Sequence, residues 1–352
     1  MSSARKDTGL RMPNRTSPVG LHDSVEEITA HVTRIPLPLP LPDLRAVNAY
    51  AIRGDDGVTL VDPGWADESS ELTITESLHQ LGYGPGDVRR ILVTHAHWDH
   101  YSRAISWQQR YGATVYLGRE KRHSVEAFDE VDGAYPVQAQ LLHRAGAPEL
   151  AKRIANLELE PYEQNVPFGP PDIWLTGGEE VDCGGKSIVA RATPGHTRGH
   201  VVFEDPQDGL VFSGDHILPR ITPSVALERN PEALPLRSYL KSLQLFTTLP
   251  DGRMLPAHGA VTDSFRPRVE ELLAHHRQRL EAVFELVAAG SRTAYDVASQ
   301  MLWTRHERTL DELGAVHGMT AILEVAAHLD LLVAHTTLTC ERSGQADHYA
   351  VA

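Results

Sequence analysis

At 352 residues the chain exceeds one typical hydrophobic core, so two domains or one enlarged domain are expected. Its 41% apolar and 23% charged residues exclude a disordered chain, and a formal net charge of −14 argues against a broad nucleic-acid surface, which needs clustered Lys and Arg. Two cysteines far apart, Cys183 and Cys340, exclude a disulfide framework and a thiolate zinc site, whereas 19 histidines exceed what packing needs.

Residues 1–22 are polar, with Pro13, Pro18 and Gly20 and no apolar run, and read as a flexible tail rather than a signal peptide. No stretch approaches the roughly 20 apolar residues of a membrane helix, so no membrane partner is expected and a cytoplasmic location is the default. Pro36–Pro42 alternates Pro with Leu and reads as an edge or extended lead-in, because proline cannot donate to a ladder. Further on, β-branched runs stop at turn-formers: Val58–Val61 at Asp62-Pro63-Gly64, Ile91–Thr94 at His95, Ser187–Ala192 at Thr193-Pro194-Gly195-His196, and Leu210–Phe212 at Ser213-Gly214-Asp215. A helix over Ser69–Leu81 and a turn at Gly82–Gly86 lie between two of them. This mixture predicts a layered α/β fold with functional groups on loops at strand ends.

Residues 119–175 have few strand signals. Lys121–Phe128 and Val137–Asn156 read as helices, joined at Asp132-Gly133 and followed by Pro-rich Val166–Pro171, so this stretch is expected to be a helical insert beside the site. Near Phe265 the character changes. Val269–Ala289 is a long amphipathic helix, Thr293 with Asp296 opens a second as a capping box, and Thr320–Leu329 is a third. Leu331–Thr339 alternates as a strand, Ser343-Gly344 offers a turn, and His348–Val351 returns. Helix–helix–helix–hairpin is the order of a winged-helix module, which divides the chain into 1–22, 23–265 and 266–352.

The chemistry concentrates in His95-Ala96-His97-Trp98-Asp99-His100. Extended backbone points alternate side chains the same way, so His95 and His97 can converge on one ion, with Asp99 and His100 in the following turn facing a second. Imidazole and carboxylate suit zinc first, with iron or manganese as alternatives. His196, Asp215 and His258 each follow an apolar strand and adjoin glycine, which lets backbone pass close to the cluster. Together these are five histidines and two aspartates, enough for two metals sharing one bridging carboxylate.

On these motifs the chain resembles the metallo-β-lactamase superfamily over roughly residues 30–262, which implies an αββα sandwich. The resemblance further implies that His95, His97 and His196 hold one metal, Asp99, His100 and His258 the second, and that Asp215 bridges. Asp62, in Val61-Asp62-Pro63-Gly64, resembles the family aspartate that orients a ligand histidine without touching metal. The chain departs from the family at Tyr101-Ser102, where glycines often follow the histidine run. Residues 266–352 resemble the winged-helix domain of a subgroup that includes a β-lactamase-like endoribonuclease and polyketide thioesterases.

The expected reaction is two-metal hydrolysis of a small ester, thioester or lactone, with Asp99 holding the nucleophilic water and shuttling its proton. An RNA phosphodiesterase is the alternative and an iron-dependent thiol dioxygenase the third reading. The wing Glu341–Asp347 is not basic and Glu324 and Asp330 lie on the third helix, which favours packing or homo-oligomer formation over RNA binding. Arg220 is a candidate for an anionic substrate group, with a structural ion pair as the alternative. Trp98 is expected to pack and His275-His276 to lie on the surface, while His123, His143, His200 and His216 show no convincing partner motif.

Overall fold

Period-two alternation builds the core. In the strand Ala46–Gly54, Val47, Ala49 and Ala51 face one way and Tyr50 and Ile52 the other, and both faces are buried, so the strand belongs to a layer covered on two sides. The computed structural model describes residues 24–41, 44–126, 134–304, 306–343 and 346–352; the expected tail at 1–22, the Asp132-Gly133 joint and Gly344 at the wing tip lie outside them.

The first sheet has the order β1 (Glu26–Glu27), β2 (Val32–Pro38), β3 (Ala46–Gly54), β4 (Gly57–Val61), β5 (Val88–Leu92), β6 (Thr114–Gly118), β7 (Ile173–Leu175). It is antiparallel from β1 to β4 and parallel from β4 to β7. The second runs β8 (Glu180–Asp182), β9 (Ser187–Ala192), β10 (Val201–Asp205), β11 (Leu210–Gly214), β12 (Arg253–Pro256), with only β11 and β12 parallel. Tyr50, Ile52, Val61 and Leu92 meet Val201, Phe203, Phe212 and Leu255 between the sheets. Helices α1 (Glu68–Gln80) and α2 (Trp98–Tyr111) cover the first sheet through Ile74, Leu78, Ala104 and Trp107. On the second sheet lie α6 (Pro235–Thr248) and the first half of α7 (Arg266–Ala288), through Tyr239, Phe246, Val269 and Leu272. The result is the expected αββα sandwich. The proline-rich stretch behaves as read: β1 pairs only with Thr33 and Arg34, so Pro36 and Pro38 lie beyond its reach.

The insert contains α3 (Arg122–Glu126), α4 (Pro136–Arg144) and α5 (Pro148–Ala155). One helix was expected over Val137–Asn156; the chain instead turns at Gly146, where φ is +84°, and restarts at Pro148. The insert also returns a strand the sequence did not signal, β7, which pairs with β6. Its helices share a core with α8 (Ala294–Ser299) and α9 (Ala315–Ala334), to which Leu142, Ile154, Val297, Ile322 and Leu329 contribute. The chain ends in the hairpin of β13 (Leu338–Ser343) and β14 (Ala346–Val351). The Thr293–Asp296 capping box forms as read. Leu331–Ala334, expected in a strand, continue α9, because Leu331 and Leu332 stay on its buried face. Contrary to the reading above, α9 is long and apolar enough by composition to cross a membrane. Here it is a core helix, in contact with α4, α5, α6, α7 and α8.

One buried ion pair joins the insert to the loop that follows Asp215. Lys121 Nζ reaches both carboxylate oxygens of Glu228, at 2.7 and 2.9 Å, and the backbone amides of Arg198 and Arg229 donate to the same carboxylate. Burial opposes the charge on Glu228, but Lys121 outweighs it and holds the carboxyl down at about 2. A carboxyl with a depressed folded-state pKa stabilises the protein above its unfolded value of about 4.3 and loses that contribution as pH falls toward 2. Acid titration of stability by denaturant melts should therefore show a loss of about 3 kcal/mol over that window, absent in E228Q. At neutral pH E228Q should be about 3–5 kcal/mol less stable, because it strands a buried ammonium.

Candidate metal centre

Every residue singled out for metal binding lies at the same end of the sandwich, because β4 and β5 run parallel in one sheet and β11 and β12 in the other. β4 delivers Asp62, whose φ of +47° is strained for a residue with a side chain. Its carboxylate makes three contacts that offset the strain: it accepts from Thr94 N at 2.8 Å, from Thr94 Oγ1 at 2.7 Å and from His100 Nδ1 at 2.9 Å. Thr94 Oγ1, having donated its hydrogen to Asp62, accepts from His95 Nδ1 at 3.1 Å. Asp62 thus orients His100 directly, as expected, and His95 through Thr94.

Asp99 and His100 were read in a turn. They lie in the first turn of α2 instead, with His97 at its cap, where the helix N-terminus favours the Asp99 carboxylate. The glycines before His196 and Asp215 are required by close approach. A Cβ on Gly195, at φ +140°, would sit 2.4 Å from Tyr239 Cα, and one on Gly214, at φ +51°, would sit 2.6 Å from Thr94 Oγ1.

The ring nitrogens sort themselves. His196 Nδ1 donates to the Ser224 carbonyl at 2.6 Å and His258 Nδ1 to the Ala46 carbonyl at 2.9 Å. With His95 and His100 held by Thr94 and Asp62, four imidazoles spend their N–H on fixed acceptors and turn a bare Nε2 inward. His95 Nε2 lies 2.8 Å and His196 Nε2 3.3 Å from His97 Nδ1. Asp99 Oδ2 lies 3.5 Å from His100 Nε2 and 3.4 Å from His258 Nε2. Asp215 spans the two groups, its Oδ2 3.7 Å from His196 Nε2 and its Oδ1 3.4 Å from His258 Nε2. Ligand atoms about 2.1 Å from a tetrahedral ion lie about 3.4 Å apart, which these separations approximate. His100 Nε2, His258 Nε2 and Asp215 Oδ1 are buried without a hydrogen-bond partner. Lone pairs packed this closely repel unless a cation lies among them, and the donor set fits divalent metal.

The charges agree. Burial, with His100 and His97 adding to it, pushes His95 well below the usual imidazole range, and burial with His196 lowers His97 to about 3. His100 rises to about 10, because Asp99, Asp62 and Asp215 outweigh its burial. The surrounding histidines hold Asp99 and Asp215 below the usual carboxylate range despite burial. The carboxylates hold their negative charge and raise the imidazoles nearest them, His100 and His258, while burial keeps His95, His97 and His196 neutral, so the cluster favours positive charge at its centre.

A cavity of about 400 Å³ opens on this cluster, lined largely by apolar side chains that include Leu44, Trp65, Trp98, Phe168 and Leu227. Trp98 is therefore a pocket wall as well as a packing residue, set edge-on to Trp65 at 5.7 Å. The insert closes the cavity through Tyr135 and Phe168, which places it beside the site as expected. Tyr101 and Ser102, the departure from the family pattern, hold this wall: Tyr101 donates to the Gly169 carbonyl at 2.7 Å and Ser102 to the Trp98 carbonyl at 2.6 Å. Arg220 lines a smaller adjoining cavity and makes no side-chain ion pair among the described residues.

His200 and His216, which the sequence tied to no motif, are buried near the cluster: His200 Nδ1 lies 2.9 Å from Thr193 Oγ1, and its ring stacks on His95 at 5.1 Å. The expected surface position of His276 is wrong: it is buried against His328, with Nδ1 3.2 Å from its Nε2, because packing from a distant helix decides its exposure. Thr94, Ser224 and Ala46 went unnoticed as orienting groups; only Thr94, a hydroxyl next to the first ligand histidine, carried a signal in the sequence.

The model of the metallo-beta-lactamase superfamily matches residues 42–258. The chain is 23% identical to the Bacillus subtilis protein named "Probable metallo-hydrolase YqjP", over 90% of this chain and 96% of that one. Among solved structures it resembles a metallo-beta-lactamase family protein of Thermus thermophilus, with TM-score 0.74, 27% identity and coverage of 93% and 100%. A beta-lactamase domain protein of Burkholderia ambifaria gives TM-score 0.73, 27% identity and coverage of 94% and 96%.

Replacing Asp62 by Ala should remove none of the candidate ligand side chains but free the rings of His100 and His95 to turn. Metal affinity, measured by chelator competition, is expected to fall by roughly 10–100-fold with the far-UV spectrum unchanged.

Proposed function

The chain belongs to the metallo-β-lactamase superfamily; from that premise we propose that it is a metal-dependent hydrolase whose substrate is a small ester, thioester or lactone with an apolar acyl part. The observation that carries this reading is the largely apolar cavity of about 400 Å³ that opens on the His/Asp cluster. We assign His95, His97 and His196 to one metal and Asp99, His100 and His258 to the second, with Asp215 between them; two clusters of His and Asp support the division. Zinc is the first choice of metal, since the donor set is imidazole and carboxylate.

Bound metal supplies Lewis acidity and a water of lowered pKa at neutral pH. The residues do the rest. Asp99, on the rigid first turn of α2 and facing the cavity, orients the attacking water and takes its proton. Trp65, Trp98 and Phe168 exclude bulk water from the acyl group and strengthen the local electrostatics. An iron-dependent dioxygenase is disfavoured because the second cluster, Asp99, His100 and His258, is complete.

Residues 266–352 are read as a winged-helix-like packing module that braces the insert. α9 packs on α4 and α5, and the wing cation Arg342 is paired with Asp330 at 3.4 Å. That pairing speaks against RNA as substrate, since phosphate binding needs free basic groups. A cytoplasmic location and a homo-oligomer formed through this region remain parts of the proposal.

Asp215→Ala removes the carboxylate common to both clusters. Elemental analysis should then find fewer than two metal equivalents and hydrolysis should be abolished, while circular dichroism keeps the α/β signature; two full equivalents would overturn the assignment. A substrate panel tests the class. Neutral thioesters or lactones should be hydrolysed with little salt dependence. RNA binding through ~6 phosphates would instead fall with a log–log salt slope of about −4, and finding it would reverse the reading.

A further inference from the structure

Beside the apolar cavity lies a second, of about 270 Å³, whose walls include Arg45, Asn48, Pro219, Arg220 and Gly259. His258, Leu44 and Ile221 line both cavities, so the two adjoin at the ligand residue His258. A substrate whose scissile bond lies beside His258 has both cavities within its reach. The first cavity is apolar and suits an acyl chain. The second is flanked by two arginines whose side chains make no ion pair or hydrogen bond among the described residues.

Both arginines sit on braced backbone. Arg45 precedes Ala46, whose carbonyl seats His258. Arg220 is carried by a loop that α7 pins: Arg268 Nε donates to the Leu218 carbonyl at 2.7 Å and Arg268 Nη2 to the Ile221 carbonyl at 3.1 Å. Asn48 Nδ2 donates to the Gly259 carbonyl at 2.8 Å and steadies the facing wall. On a chain of net charge −14, two guanidinium groups beside the cluster with no carboxylate partner among the described residues are a local reversal of sign. Guanidinium groups pair with phosphate or carboxylate oxygens through parallel hydrogen bonds, and two of them suit an anion better than one.

We propose that Arg45 and Arg220 form a subsite for an anionic leaving group, so that the substrate is an acyl thioester or ester whose thiol or alcohol half carries phosphate or carboxylate. This rests on the acyl-hydrolase reading given above. In the reaction water adds to the acyl carbon, the C–S or C–O bond breaks, and the anionic thiol or alcohol leaves with a proton while the acyl half leaves as the acid. With the acyl chain in one cavity and the anion in the other, the scissile carbonyl lies near His258, the ligand residue that lines both.

The test uses the metal-loaded full chain and three thioesters with one octanoyl group: of pantetheine, of phosphopantetheine and of glutathione. The phosphorylated substrate, the carboxylated one, or both should exceed the neutral one by about 10-fold or more in kcat/KM, through KM, and the advantage should shrink with added salt. The arm that is preferred identifies phosphate or carboxylate as the anion. In R45Q/R220Q and in the charge reversal R45E/R220E, that ratio should collapse toward one. Calorimetric titration with phosphopantetheine and glutathione as products should show the same loss of binding without turnover. Equal kcat/KM for all three thioesters, or a preference that survives both double variants, would overturn the subsite and leave the acyl-hydrolase reading standing. Failure to hydrolyse any of them, together with cleavage of RNA, would bring down the parent reading as well.

Discussion

The carboxylate of Asp62 ties together the His and Asp side chains of the candidate metal centre. It sits at the end of β4 in a strained left-handed backbone conformation and accepts from the amide and hydroxyl of Thr94, at the end of β5, and from the His100 ring on α2. One side chain thereby locks two parallel strand ends and a helix start, and through the Thr94 hydroxyl it also decides which nitrogen of His95 carries hydrogen. A buried carboxylate is stable only when its oxygens are satisfied, and here the groups that satisfy it are the ones that aim the ligands. Backbone strain of about 1–3 kcal/mol is the cost of that convergence.

The opposite sheet is registered against this frame by β3. Asn48 Nδ2 donates to Pro256 O at 2.9 Å, Tyr50 Oη donates to the same carbonyl at 2.8 Å, and Ala46 O receives His258 Nδ1. His258 is therefore positioned by the sheet to which it does not belong. Asp215 then closes the gap between the groups, which explains why Gly214 must precede it: any side chain there would meet Thr94. The last third of the chain acts at longer range. α9 supports α4 and α5, and α7 pins the loop carrying Arg220, so residues far from the metal ligands shape both cavities beside them.

Much of this was legible in the sequence because the ligands follow apolar strand runs, and a strand end converts sequence position directly into spatial position. His95, His97, Asp99, His100, His196, Asp215 and His258 do converge, and Asp62 does orient His100. The capping box at Thr293 was equally readable, being a contact between residues three apart. Readings failed where the deciding contact was remote. β7 carries too short a run to announce itself and exists because β6 offers an open edge. The start of the expected strand at Leu331 is the end of α9, because the neighbouring helices bury that face.

The amino-acid order by itself determined the α/β class, the strand ends that bear ligands and the donor chemistry, all of which depend on local pattern and side-chain type. Only the tertiary structure decided which nitrogen each histidine turns inward, since the fixing acceptors Ser224, Ala46 and Asp62 lie 28, 212 and 38 residues away along the chain. It alone buried His200, His216 and His276, and it alone brought an apolar cavity and an arginine-flanked one together at His258. Burial and hydrogen-bond direction are properties of the packed whole, in which groups distant in sequence supply the low dielectric and the partners that no local window contains.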